Sequence, residues 1–221
     1  MELVKTGVFL CVGLAIGFII PSLAQKMIQY KCTKRHQNIP AFYMLKWHEQ
    51  ILMLLSASLF ALAGWQMPLE EALLVCVFVL IALTATVIDT QIRIIANEIV
   101  LLLLALGIIY RIIAGGAYSL SGSLGALGFV VVIFGGTALI TKLFMKNIGI
   151  GAGDIKLAMA IAITVGYPGI FNFLGGMAVA IGGYCVAGLQ LGLLTPKSTF
   201  PMCGHIMAGL LIALFVPYIP L

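Results

Sequence analysis

Apolar runs of membrane-spanning length recur from one end of this chain to the other. They lie at roughly 4–24, 50–66, 69–88, 98–114, 124–145, 155–166, 170–194 and 205–219. A helix needs about 20 apolar residues to cross the hydrocarbon core of a bilayer. The runs therefore predict an all-α polytopic membrane protein with about eight transmembrane helices. They leave room for one integral membrane domain over residues 1–221 and a short cytoplasmic loop at 25–49. The sixth and eighth runs are short and end near Pro168 and Pro217, and the third is expected to continue as helix beyond Ile88. Only 9% of the residues are charged and 62% are hydrophobic, against about 25% and about 45–50% in soluble domains. That balance argues against a soluble domain, a disordered chain, a nucleic-acid binder and a small disulfide-stapled fold.

The scarce charges are distributed by position. If 25–49, 89–97, 146–154 and 195–204 face the cytoplasm, the inside set is Lys26, Lys31, Lys34, Arg35, Lys46, Arg93, Lys142, Lys146, Lys156 and Lys197. Of the twelve basic residues, only Lys5 and Arg111 then fall outside. Cationic loops resist translocation, so the pattern predicts eight spans with both termini outside. Trp65 and Tyr167 fall at the expected outer edge and Trp47 at the inner one, where amphipathic rings concentrate. Ser22-Leu23-Ala24 has the small-x-small form of a cleavage site. The basic cluster follows the first apolar run, however, and that order predicts a retained first span.

The five cysteines, Cys11, Cys32, Cys76, Cys185 and Cys203, form no C-x-x-C pair, so no zinc or redox motif is read from them. Cys32 with His36 and His48 lacks a fixed ligand spacing, and these are read as scattered solvated residues. His205 is read as structural. No cofactor and no metal is expected. Gly13/Gly17 and Gly188/Gly192 are each four apart, which on a helix makes a small-residue face for close packing within the chain.

Among the seven acids, Glu2, Glu70 and Glu71 are expected at the outer edge, and Glu49 begins a span on the inner side. Acids at helix starts are favoured by the helix dipole. The only two aspartates are Asp89, closing the third span, and Asp154, opening the sixth after Gly151-Ala152-Gly153. A bland reading exists for each. Asp154 could cap its helix, and Asp89 could be held by Arg93 four residues on. Both fall at one membrane face, and a carboxylate at such depth marks a functional site. Gly149, Gly151 and Gly153 would allow positive φ and close backbone approach. Two facing carboxyls share a proton. The ionised one can activate water while the protonated one donates to a scissile carbonyl. Lys156 and Arg93 stand nearby, as tuning groups or as solvated interface cations.

These residues resemble a known family. Gly151-Ala152-Gly153-Asp154-Ile155-Lys156-Leu157 is similar to the G-x-G-D motif of intramembrane aspartyl proteases, in the form of the prepilin peptidases. Ile88 to Asn97 resembles that family's first motif, an aspartate followed seven positions on by Pro and then Asn or Asp; here Ala96 stands for the proline and Asn97 follows it. The resemblance implies a membrane-embedded aspartic endopeptidase with Asp89 and Asp154 as catalytic residues. Gly151, Gly153, Lys156 and Asn97 are the implied substrate-binding or loop-supporting residues. The implied partners are the lipid bilayer and a type IV prepilin or pseudopilin helix, whose short basic leader is removed at the cytoplasmic face of a prokaryotic inner membrane. A second copy of the chain is a further candidate partner; nucleic acid is not.

Long members of the family carry two C-x-x-C pairs in the first cytoplasmic loop, linked to N-methylation. Here Asn38-Ile39-Pro40 and Trp47 look like the remnant of that loop's end, so cleavage without methylation is expected. Pro196 to Pro201 is either a substrate-lining loop or a connecting turn. Glu98 or Glu49 is a candidate reader of the leader's positive charge. Two other readings stay open. One is a small transporter or ion-path protein using intramembrane carboxylates; the other is a non-catalytic pilus assembly factor.

Overall fold

The computed structural model describes residues 2–34, 44–115, 119–144, 151–195 and 200–218. Among these residues the chain is helical and contains no strand: α1 (Glu2–Lys34), α2 (Lys46–Gln66), α3 (Leu69–Ile92), α4 (Asn97–Gly115), α5 (Ser119–Phe144), α6 (Ala152–Gln190) and α7 (Cys203–Phe215), followed by a 3-10 turn at Val216–Tyr218. Five helices are long and apolar enough to cross a membrane: α1, α3, α4, α5 and α6. Arg35, His36, Asn38 to Pro40, Lys146, Gly149 and Pro196 to Thr199, singled out in the sequence, lie outside the described residues.

The chain forms two compact units. The first comprises Met1–Ile99 and Pro217–Leu221, and the second Val100–Val216. In the first unit α1 packs on both α2 and α3, and α2 packs on α3. The α1–α2 seam follows the predicted small-residue face. A Cβ on Gly17 would lie 2.5 Å from the Met53 Cα, and one on Gly13 would lie 2.8 Å from the Ala57 Cα. From the other helix, a Cβ on Gly64 would lie 2.8 Å from the Phe9 ring. Such backbone-to-backbone approach is how helices associate where lipid removes the hydrophobic drive. The Lys5 ammonium donates to the Met67 carbonyl at 2.6 Å, placing a cation on the C-terminal cap of α2, where helix carbonyls are unsatisfied.

The expected loop at 25–49 is helical at both ends, because α1 runs on to Lys34 and α2 begins at Lys46. Ala24, Ile28 and Cys32, spaced four apart, are all buried. They continue the apolar face of α1 beyond the polar boundary, and that packed stripe outweighs the lysines between them.

In the second unit α6 packs against α5 and α7. The sixth and seventh expected spans are two helical segments of α6 that meet at Gly166 and Tyr167, where the backbone is not helical. Gly166 has φ 60 and ψ −176, a region open almost only to glycine, and Pro168 has no N–H to offer the preceding turn. The predicted Gly188/Gly192 face does not form. Gly192 lies beyond the helix with φ 68, and its N–H and that of Leu193 close back on the Leu189 and Gly188 carbonyls at 3.2 and 2.9 Å. That is a Schellman stop, and it ends the helix at Gln190, short of the expected 194. The Gly176 and Gly209 positions let α6 and α7 meet. A Cβ on Gly176 would touch Ile212 at 2.9 Å, and one on Gly209 would lie 2.6 Å from the Phe173 carbonyl oxygen.

Candidate active site

Asp89 belongs to the first unit. It lies in the last turn of α3, and only 5% of its surface is exposed. The stretch from Phe78 to Asp89 is buried on nearly every side, as expected of a helix apolar all round. Thr86 and Thr90, which flank Asp89, turn their hydroxyls back to the Ala82 and Val87 carbonyls at 2.7 and 2.8 Å. Helix α3 is capped at its C-terminal end by Arg93, whose N–H donates to the Asp89 carbonyl at 2.9 Å. Arg93 has φ 51 and ψ 39, and no other non-glycine among the described residues has a positive φ. A side chain in that region costs about 1–2 kcal/mol, and such strain collects at functional sites. No glycine or asparagine at 93 announces this turn in the sequence.

The chain then enters α4 at Asn97, which is exposed. Ala96, in the place of the family's proline, is 2% exposed, and its carbonyl accepts the Ile99 N–H at 3.0 Å. The turn thus closes without a proline ring. Glu98 forms an ion pair with Lys31 from the inner extension of α1. Of the two acids considered as readers of positive charge, Glu98 is therefore already engaged by a lysine of its own chain.

Asp154 belongs to the second unit and opens α6. The helix is capped by Gly151, not by Asp154. The Asp154 N–H donates to the Gly151 carbonyl at 3.0 Å, which makes Asp154 the third residue of the first turn. Its carboxylate folds back over the helix start, and Oδ2 lies 2.8 Å from where a Cβ on Gly151 would sit. The unsatisfied N–H groups and positive dipole end of the helix attract a carboxylate there. Gly151 has φ −61 and ψ 138, and neither Gly151 nor Gly153 has a positive φ. The expectation of positive φ at these two glycines is thus corrected; what the absent side chain of Gly151 provides is room for the Asp154 carboxylate. Gly153 lies inside the first turn of α6, and Lys156 is exposed.

Two residues make contacts that their positions in the sequence do not announce. His205 is not isolated: Nδ1 lies 3.1 Å from the Pro201 carbonyl oxygen, and its ring meets Tyr184 and Phe200 edge-on, with centroids 5.0 and 5.3 Å apart. Arg111, counted only as an outer cation, donates to the Val165 carbonyl at the break in α6. Cys32 is buried in α1, and His48 stacks on Trp47 with ring centroids 3.7 Å apart.

The model of the type IV leader peptidase family matches residues 76–193, more than half of the chain, and the match encloses both aspartates. The chain belongs to the type IV leader peptidase family. Comparisons with curated proteins and with solved structures find no match. The family match begins within α3 and ends just past α6, so α1, α2 and α7 lie outside it. A leader peptidase is a hydrolase of peptide bonds, and its long apolar helices make it a membrane protein. Membership in a peptidase family weighs against the transporter reading.

Proposed function

We propose that this leader peptidase is an aspartic endopeptidase that removes the short basic leader of type IV prepilins or pseudopilins at the cytoplasmic face of a prokaryotic inner membrane. Asp89 and Asp154 are its catalytic residues. The observation that carries the reading is the family match, which contains the chain's only two aspartates, each within one turn of a helix end. Of the two carboxyls, the ionised one takes a proton from water. The other donates to the carbonyl oxygen as the tetrahedral intermediate forms. Gly151 gives the Asp154 carboxylate its room, and Gly153, Lys156 and Asn97 support the loops or contact the substrate.

The cytoplasmic assignment rests on charge. Ten of the twelve basic residues collect on one side when the chain crosses eight times with both termini outside. The missing C-x-x-C pairs support cleavage without N-methylation. The substrate helix arrives laterally from the bilayer, and a second copy of the chain is a further candidate partner.

Co-expression with a type IV prepilin tests the function, scored by a mobility shift and by N-terminal sequencing of the product. Asp89→Asn and Asp154→Asn should each abolish cleavage while the protein still inserts, and Glu70→Gln should leave it intact. Cleavage by either aspartate variant overturns the mechanism. Pilus assembly that depends on the chain but proceeds with both aspartates replaced identifies a non-catalytic assembly factor instead.

A further inference from the structure

Arg111 is an ionisable residue within an apolar span, and such residues are functional by default. Its surroundings, all in the second unit, show what it touches. The guanidinium donates to the Val165 carbonyl at 3.4 Å. It also lies against Gly166, where an added Cβ would come within 2.7 Å of Cζ. Next to this, the Ser123 hydroxyl of α5 donates to the Ile163 carbonyl at 2.8 Å. On the α4 side, Gly107 leaves room for the Thr164 hydroxyl, which bonds to the Ala160 carbonyl at 3.0 Å. Pro168 has no N–H for the Thr164 carbonyl, and Gly166 and Tyr167 leave helical geometry. Side chains from neighbouring helices reach the carbonyls on either side of that weak point, at 163 and 165, as a break inside lipid requires.

The half-helix Ala152–Val165 is therefore pinned at its far end to both α4 and α5. Its buried face, from Leu157 through Ile161 to Val165, makes it a rigid piece. Asp154 sits in its first turn. A small change of direction at the break is carried along the helix, at about 1.5 Å of rise per residue, to that carboxylate.

We infer that Arg111 is a positioning residue: it latches the break in α6 and so fixes the direction of the half-helix that carries Asp154. The inference rests on the proposed role of Asp154, but its first test does not.

Spin labels at positions 142 and 152, both exposed, near the end of α5 and at the start of α6, report that direction in a cysteine-replaced background that still cleaves prepilin. The reconstituted wild-type protein should give one narrow distance distribution. Arg111→Met should broaden it, Arg111→Lys should restore much of it, and Glu70→Gln should leave it unchanged. In prepilin cleavage, Arg111→Met should lower kcat by about 10- to 100-fold, the penalty for a misplaced catalytic group, with KM within about twofold. An unchanged distribution in Arg111→Met overturns the latch, whatever happens to activity. A broadened distribution with unchanged kcat overturns its positioning role. If Asp154→Asn cleaves, the protease mechanism fails while the distance measurement still decides the latch.

Discussion

The Asp154 carboxylate occupies the space that a side chain on Gly151 would need: Oδ2 lies 2.8 Å from the position of the missing Cβ. The Gly151 backbone, at φ −61 and ψ 138, is open to any residue. Gly151→Ala should therefore fold and insert normally yet push the carboxylate from its place. Cleavage of a co-reconstituted prepilin should fall by about 10- to 100-fold in kcat, the scale for displacing a catalytic group by about an ångström. Unimpaired turnover in this variant would separate the carboxylate's observed position from its catalytic one.

Gly17 tests the α1–α2 seam. A Cβ there meets the Met53 Cα at 2.5 Å and the Leu52 carbonyl oxygen at 3.0 Å. Both are backbone atoms, so relief requires moving a helix. Gly17→Val should destabilise the detergent-solubilised protein by about 1–3 kcal/mol, the usual cost of overpacking. Gly7→Val should have little effect, because a Cβ at Gly7 meets nothing within 4 Å. Unfolding midpoints of the two variants check this.

Arg93 tests backbone strain beside Asp89. Its φ of 51 suits glycine, and its side chain is exposed. Arg93→Gly should stabilise the protein by about 1 kcal/mol and leave prepilin cleavage within about twofold of wild type. A large loss of cleavage with unchanged stability would instead assign the guanidinium a part in the reaction.

The Lys31–Glu98 ion pair ties the inner end of α1 to the start of α4. Lys31 is 12% exposed and Glu98 47%, so water screens the pair. Glu98→Gln should change stability by less than about 1 kcal/mol. KM for a basic-leader prepilin should also stay within about twofold, since Glu98 already has a lysine of its own chain. A rise in KM that is abolished by high salt would show that Glu98 reads the leader after all.

The helical class, the apolar runs and the two aspartates were legible in the sequence because each rests on a local property. Run length fixes what can span a bilayer, and acids are scarce enough in such a chain for position alone to select Asp89 and Asp154. Even the break near Pro168 shows locally, as the gap between the sixth and seventh runs. Less legible was where helices stop. The stripe Ala24, Ile28 and Cys32 extends α1 through polar residues, and its weight depends on what it packs against. Gly188 and Gly192 match a small-residue face in spacing, yet a Schellman stop puts Gly192 outside the helix.

The sequence by itself determined the helical class of this chain, its apolar spans and the position of its only two aspartates. Tertiary structure alone decided why particular residues are needed. A carboxylate three residues away occupies the space that a side chain on Gly151 would take. Arg93 adopts a glycine-like conformation with no glycine to signal it. Arg111, one cation among twelve in the sequence, donates to a carbonyl beside the break in another helix, 54 residues away. Each of these is a relation between atoms brought together by folding. Periodicity and composition describe only what a residue is and what stands beside it in the chain.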